Sequence, residues 1–290
     1  MSEPVPVKTG SFQYGSYQLA YEQYGDEGIP CILLHGILLD AGVNRELARR
    51  FVREGYKVVL LDLLGHGRSD RTTDPKDHRC DFYAEQVLAC MDHLGFAKAM
   101  VGGVSLGCMV SLHVAAKAPG RVLALFLEMP VMEWSAPWAA VILAPALFSS
   151  RFLRVLHTPF AAFMRQLPRP RLETLASVMD TLSMEPAHVA AVLHGTLVGP
   201  MVPSERERKA MTMPALVIGH NRDKLHEFED ARVLASELPN AQLIEARHML
   251  ELRLRPDRLW KDIVKFLDQV YAAQKKARPL PTVVSFMFGS

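Results

Sequence analysis

The chain has 290 residues, of which 49% are hydrophobic and 22% charged, and its formal net charge is +2. Such a composition excludes an intrinsically disordered protein, and the interspersed basic and acidic residues give no indication of nucleic-acid binding. The most continuous apolar run, 136–148, is shorter than the ~20 residues that a membrane span requires. We therefore expect no transmembrane segment, and we expect this run to be buried or to line a cavity.

The amino-terminal residues and the cysteines both indicate the cellular compartment in which we expect the protein. Residues 1–10 lack the apolar stretch of a secretory signal. The four cysteines include no CxxC pair, and two of them lie in runs predicted as a buried strand and a helix. These features favour a cytoplasmic protein with reduced thiols.

Predicted strands and helices alternate along most of the chain. Residues 11–24 alternate aromatic and polar types around Gly15-Ser16, which predicts an antiparallel hairpin. After it, short runs that are apolar at every position alternate with segments of helical periodicity. The strands are predicted over 31–34, 57–61, 99–101, 122–127, 215–218 and 242–244, and the helices over 45–54, 81–94, 106–117, 229–238 and 257–273. This order predicts an α/β fold with a mostly parallel sheet.

The alternation stops between about 131 and 210, in a segment rich in proline, methionine, leucine and aromatic residues. Because the segment lies between two predicted strands, we interpret 131–210 as a helical cap inserted into a core formed by 1–130 and 211–274. Residues 275–290 form a carboxyl-terminal tail whose last part, 282–288, is apolar. We expect that part to dock on the molecule, since a free apolar terminus would favour aggregation.

A G-x-S-x-G motif, Gly103 to Gly107, identifies a candidate nucleophile. It follows the strand predicted over 99–101 and opens the helix predicted over 106–117. This strand-turn-helix setting is the one in which the motif presents a serine hydroxyl at the carboxyl end of a sheet. We therefore interpret Ser105 as a nucleophile rather than an ordinary turn serine.

A serine nucleophile needs a base that accepts its proton during attack. His248 is the best placed of the eleven histidines, because it follows the last predicted strand and precedes the terminal helix. It also comes after the serine, as the histidine does in nucleophile-acid-histidine chain order. The weaker candidates are His35, His66, His113 and His220.

A carboxylate should orient the imidazole and stabilise its cation. Asp223 follows the strand predicted over 215–218 and lies between Ser105 and His248 in the sequence. Glu128 is the alternative acid, because it ends the strand predicted over 122–127. Chain order favours Asp223 and leaves Glu128 open.

Four sequence features together resemble the α/β-hydrolase superfamily over about 12–271. They are His35-Gly36 after the first parallel strand, the pattern from Asp62 to Ser69, the serine motif, and the Asp223/His248 pair. The resemblance implies an eight-stranded, mostly parallel sheet flanked by helices, with an inserted helical cap after strand six. It also implies an oxyanion hole formed by the backbone N–H groups of Ile37 and Leu106.

The chain also departs from the family pattern. Arg247 precedes His248 where the family often has glycine, and no second glycine follows Gly36. Both departures bear on the subfamily and remove no catalytic group. Serine at position 105 argues against the haloalkane dehalogenase and epoxide hydrolase branches, which need an aspartate there.

These features predict a serine hydrolase, carboxylesterase-like, that cleaves a carboxylic ester or related acyl bond of a small, partly apolar substrate through an acyl-enzyme. An acyltransferase, a carbon-carbon bond hydrolase and a non-catalytic ligand-binding receptor remain alternatives. No metal or organic cofactor is required by this chemistry, and monomer and homodimer remain open. The apolar side of the substrate would meet a pocket in the cap lined by Trp134, Trp138, Leu147, Phe148 and Phe160.

Overall fold

The computed structural model describes residues 5–221 and 224–277. Eight strands form one sheet in the order β1-β2-β4-β3-β5-β6-β7-β8. Strand β2 pairs antiparallel with β1 and β4, and all other neighbours are parallel. The strands are β1 (Val7–Tyr14), β2 (Tyr17–Tyr24), β3 (Ile29–Leu34), β4 (Tyr56–Leu61), β5 (Ala99–Val104), β6 (Val122–Glu128), β7 (Ala215–His220) and β8 (Ala241–Ala246).

Helices flank the sheet and fill the segment between β6 and β7. They are α1 (Arg45–Arg53), α2 (Cys80–His93), α3 (Leu106–Lys117), α4 (Ala136–Phe152), α5 (Arg154–Gln166), α6 (Glu173–Leu182), α7 (Pro186–Val198), α8 (Glu205–Lys209), α9 (Phe228–Glu237), α10 (Glu251–Leu254) and α11 (Asp257–Ala277). The predicted hairpin, each predicted strand and each predicted helix of the core are present. The predicted eight-stranded, mostly parallel sheet with a helical insertion after strand six is therefore confirmed.

The two faces of the sheet build two hydrophobic clusters. Along β3, Ile32 and Leu34 point to a cluster with α2, α3 and α9, whereas Cys31 and Leu33 point to a cluster with α1 and α11. This alternation is the two-residue period of a strand. Because both faces are covered, the strands are apolar at consecutive positions, which is why they were recognisable in the sequence.

The apolar run 136–148 differs from its expected environment. It forms most of α4, but Ala139 and Ser150 are the helix's only buried residues, so burial of the run is wrong for most of its surface, and the alternative that it lines a cavity stays a prediction. No single helix of the described residues is long and apolar enough to cross a membrane, although α4 and α5 together meet that criterion across a 101° bend. The apolar residues 282–288 lie outside the described residues, so their docking stays a prediction.

Candidate active site

Ser105 occupies a strained turn between β5 and α3. Its backbone angles are φ 54° and ψ −110°, which non-glycine residues rarely adopt. A Cβ atom at Gly103 or Gly107 would lie 2.3 or 2.6 Å from the carbonyl oxygen of Leu34 on β3, so both flanking positions need glycine. The Ser105 N–H donates to the carbonyl of Glu128 at 2.9 Å, which ties the turn to the end of β6. The serine is thus held, partly exposed, at the carboxyl edge of the sheet.

The loop after β3 lies beside the serine. A Cβ atom at Gly36 would be 3.9 Å from the Cβ of Ser105. The next residue, Ile37, and the first residue of α3, Leu106, each present a backbone N–H for which the described residues supply no hydrogen-bond acceptor. Two free N–H groups on either side of a serine match the arrangement of an oxyanion hole.

Cap helix α6 holds this loop in place. Leu38 has a positive φ of 60°, and the N–H of Leu39 donates to the carbonyl of Gly36 at 3.1 Å, which closes a tight turn. The Thr181 hydroxyl of α6 donates to the carbonyl of Leu38 at 2.5 Å, and Ser177 Oγ accepts from the Asp40 N–H at 3.1 Å. The positive φ of Leu38 strains this turn, and the two hydrogen bonds with the cap helix stabilise it.

Thr181→Val should lower kcat for ester hydrolysis by about three- to tenfold, because loss of one hydrogen bond loosens the turn that carries the Ile37 N–H. KM should change little, since the valine keeps the volume of the side chain. Thr174→Val, on the same helix, is the matched control. Steady-state kinetics with a p-nitrophenyl ester measures both, and equal kcat values for the two variants would contradict a positioning role for Thr181.

His226 is the histidine that reaches the serine. Its Nε2 lies 3.0 Å from Ser105 Oγ, and its side chain is 7% exposed. It belongs to the segment between β7 and α9, and its ring centroid is 6.1 Å from that of His220. In the tautomer with the proton on Nδ1, Nε2 accepts the hydroxyl hydrogen of the serine, which is the geometry that a general base requires.

His226 was missed by the sequence analysis. The signal that could have found it is its position in the same post-β7 loop as Asp223, at the carboxyl edge of the sheet. His226 also follows Ser105 and Asp223 in the sequence, so chain order does not distinguish it from His248. The position of His248 directly after the last predicted strand decided the prediction, although a loop can fold either side chain back over the sheet.

His248 lies elsewhere in this structure. It is exposed in the turn between β8 and α10, and within the described residues no hydrogen bond joins it to Ser105. Glu251 holds that turn: its carboxylate accepts from the Arg247 N–H at 2.5 Å and from the Arg258 guanidinium at 2.7 Å. The predicted pairing of His248 with Ser105 is therefore absent here, because the turn is tied to α11.

Glu251 gives the turn a pH dependence. Its hydrogen bonds to Arg258 lower the pKa of Glu251 from 4.5 to about 2. A carboxylate with a lowered pKa stabilises the folded state above pH 4.5, and that contribution is lost as the pH falls toward 2. We expect Glu251→Gln to lower Tm by about 2 to 4 °C at pH 7.

The same variant should differ less from wild type as the pH approaches 2. Thermal unfolding between pH 2.5 and 7 measures the difference, with the exposed Glu27→Gln as control. A Tm difference that grows on acidification would contradict this assignment.

The contacts of three weaker histidine candidates, His35, His66 and His113, are those of packing residues. His35 accepts the Leu63 N–H at 3.1 Å, and its ring centroid lies 4.6 Å from that of the fully buried His66. Burial lowers the pKa of both histidines. His113 lies 3.0 Å from the carbonyl of Pro200 in the segment that leads out of the cap. These contacts favour packing roles.

Only one of the two candidate acids lies within the described residues. Asp223 lies outside the described residues, so its role stays a prediction. Glu128 is 3% exposed, and its two oxygens accept from the Arg253 guanidinium at 2.8 and 2.7 Å. A bidentate partner occupies both oxygens, so this carboxylate is engaged in joining β6 to α10.

The predicted pocket residues separate into two groups. Leu147 packs with Met184, Val189 and Leu193 in a cluster that also contains Ile37. The other four are between 43% and 58% exposed: Trp134, Trp138, Phe148 and Phe160. The apolar surface beside the candidate oxyanion loop is thus built from α4 and α7, and a substrate-lining role for the four exposed residues stays a prediction.

Comparison with known families agrees with the sheet order and the serine turn. A family model described as the alpha/beta hydrolase fold matches residues 29–248 of the 290. The chain belongs to the alpha/beta hydrolase fold family. Membership accounts for the strand-turn-helix at Ser105 and for the helical insertion after β6.

The curated relatives of this chain have names that refer to several different activities. Lipase 1 of Psychrobacter immobilis is 25% identical over 235 residues, which are 78% of this chain and 73% of that lipase. The acetyltransferase component of the acetoin cleaving system of Pseudomonas putida is 40% identical over 107 residues, 37% of this chain and 28% of that protein. Several curated relatives are matched over less than half of their length.

A solved alpha/beta hydrolase shows the same fold over nearly the whole chain. The enol-lactonase from Burkholderia xenovorans LB400 superposes with a TM-score of 0.70 at 20% identity, covering 89% of this chain and 100% of that one. At 20% identity, this similarity shows a shared fold and no more.

Proposed function

We propose that this alpha/beta hydrolase is a serine esterase that cleaves a carboxylic ester, or a related acyl bond, through an acyl-enzyme on Ser105. The observation that carries the proposal is the 3.0 Å separation of Ser105 Oγ and His226 Nε2 at a strained, partly exposed turn. A hydroxyl in hydrogen-bond contact with an imidazole is the arrangement that activates serine as a nucleophile.

The reaction follows from the positions of these groups. Ser105 Oγ attacks the ester carbonyl carbon while its proton passes to His226 Nε2, and the N–H groups of Ile37 and Leu106 stabilise the oxyanion. His226 then protonates the departing alkoxide, which leaves an acyl group on Ser105. Water, deprotonated by His226, attacks this acyl-enzyme, and the collapse of the second tetrahedral intermediate releases the acid and restores Ser105.

The base in this proposal is His226, whereas the sequence prediction was His248, from its position after the last predicted strand. Distance supports His226, because proton transfer requires hydrogen-bond reach between base and hydroxyl. Asp223 is proposed as the orienting acid, since Arg253 already occupies both oxygens of the alternative, Glu128. Turnover by Asp223→Asn, compared with Glu128→Gln at equal folded concentration, tests that choice.

The substrate class is inferred from the surroundings of the serine. The residues that pack beside Ile37 include the apolar and only partly buried Leu143 and Leu147, which suits an acyl or alcohol group of the same character. The names of relatives, a lipase and an enol-lactonase among them, refer to enzymes acting on carboxylic esters and lend support to this class.

A p-nitrophenyl ester panel from acetate to decanoate tests the proposal. Hydrolysis should be fastest for intermediate chains, and diethyl p-nitrophenyl phosphate should stop it by adding one diethylphosphoryl group, found by peptide mass spectrometry on Ser105. Labelling at another residue would contradict the nucleophile. Tight ester binding without turnover would favour a receptor, and acyl transfer to an added alcohol in preference to water would favour an acyltransferase.

A further inference from the structure

The corner between α4 and α5 exposes large apolar side chains. The two helices meet at Leu153 with a 101° bend. Around the bend, Phe152 is 65% exposed, Val155 87% and Leu156 70%. Helix α5 buries only Ala161. Contiguous apolar exposure of this kind marks an interaction surface more often than a free surface.

The charged residues of the segment that forms this corner are all arginines. From 134 to 172 the sequence contains five arginines and no aspartate, glutamate or lysine. Arg165 and Arg169 pair with Glu185 and Asp180 of the cap. Arg151 and Arg154, which flank the bend, are exposed and make no ion pair with any described residue.

The position of Arg151 links the charge to the apolar surface. Its guanidinium carbon lies 6.0 Å from the ring centroid of the exposed Phe152. Apolar side chains with arginines at their border suit a surface that is apolar inside and anionic outside. A phospholipid bilayer with anionic headgroups has that layering, and arginine binds phosphate through two parallel hydrogen bonds.

A second copy of the chain fits this surface less well. In a symmetric contact the same patch meets itself, so Arg151 and Arg154 of both copies would be brought into one contact. No carboxylate within 134–172 would offset that repulsion. Charge complementarity therefore favours an anionic lipid surface over self-association.

We propose that the α4–α5 corner, defined as Phe152, Val155 and Leu156 with Arg151 and Arg154, docks on anionic phospholipid bilayers. The apolar side chains enter the boundary between headgroups and acyl chains, and the two arginines bind lipid phosphates. This interaction goes beyond the proposed esterase activity and does not use Ser105. The 101° bend between the two helices fits a helix pair lying in the interface rather than a straight membrane span.

Flotation of the full chain with vesicles tests the proposal. Binding should be strong to vesicles of phosphatidylcholine with about 30 mol% phosphatidylglycerol, weak to phosphatidylcholine alone, and reduced by about 0.5 M NaCl, because salt screens the headgroup charge. Phe152→Ser/Val155→Ser/Leu156→Ser and Arg151→Ala/Arg154→Ala should each reduce partitioning by about tenfold or more.

Two control variants carry changes of the same kinds elsewhere on the surface. Val7→Ser/Leu243→Ser removes exposed apolar side chains from β1 and β8, and Arg206→Ala/Arg255→Ala removes two exposed arginines outside the corner. Both controls should bind vesicles as the wild type does. Circular dichroism confirms that each variant is folded.

Three outcomes would overturn the proposal. They are failure of the wild type to bind anionic vesicles, equal binding by corner and control variants, and a wild-type dimer in analytical ultracentrifugation that the corner variants convert to monomer without any vesicle binding. Ser105→Ala should still float with vesicles, so a failure of the esterase proposal leaves this result unchanged.

Discussion

Ser105→Ala is expected to lower kcat/KM for p-nitrophenyl butyrate by about 10⁴- to 10⁶-fold, which is the range for removing the nucleophile of a Ser-His-Asp hydrolase. The alanine removes only the hydroxyl, so the turn between β5 and α3 keeps its hydrogen bond from the Ser105 N–H to Glu128. The remaining N–H groups of Ile37 and Leu106 can still bind a carbonyl. We therefore expect KM to change much less than kcat.

The control for this change is Ser111→Ala on α3, the helix that follows Ser105. Ser111 is buried, and its hydroxyl donates to the carbonyl of Gly107 rather than to a histidine. Its removal should leave kcat/KM within a few-fold of the wild type. Comparable rates for Ser105→Ala and wild type would exclude an acyl-enzyme on Ser105.

His226→Gln is expected to reduce kcat by about 10³- to 10⁵-fold, whereas His248→Gln should leave it within about threefold. Glutamine occupies a similar volume but cannot accept and return a proton. The expectation rests on the 3.0 Å distance from His226 Nε2 to Ser105 Oγ and on the exposed position of His248 in a turn that Glu251 holds. Steady-state kinetics from pH 5 to 9 measures both variants.

The pH profiles distinguish a base from a residue that only shapes the site. Loss of the base should flatten the acidic limb of log kcat/KM, because the group whose protonation stops catalysis is gone. A purely structural change should lower the curve and keep its shape. If His248→Gln abolishes turnover while His226→Gln leaves it nearly unchanged, the sequence-based assignment of His248 is correct and the turn after β8 must move toward Ser105 during catalysis.

Much of the fold was predictable because its signals are local. The core strands of the parallel sheet are apolar at consecutive positions, since helices cover both faces, and their ends in the structure differ from the predicted ones by at most three residues. Whether the residues of the cap are buried or exposed was harder to predict. An apolar run such as 136–148 has the same sequence whether it is buried or exposed, and its exposure depends on which neighbours α5, α6 and α7 provide.

The role of Glu128 could likewise not be predicted from the residues around it in the sequence. At the end of β6 it has the position of a catalytic acid, and nothing near it in the sequence indicates otherwise. Its partner, Arg253, is 125 residues away and comes from α10, which the sequence analysis did not predict. A carboxylate at a strand end is thus assigned by what reaches it across the fold.

The sequence by itself determined the α/β architecture and the turn that presents Ser105, because the strand, the serine and the helix that form this turn are contiguous between 99 and 117. Only the tertiary structure decided which groups surround the serine. His226 is 121 residues from Ser105, and Thr181, which donates to the carbonyl of Leu38 in the loop after β3, is 143 residues from it. The physical reason is that contacts at the carboxyl edge of the sheet depend on how each loop folds back, whereas a strand-turn-helix is specified by its own residues.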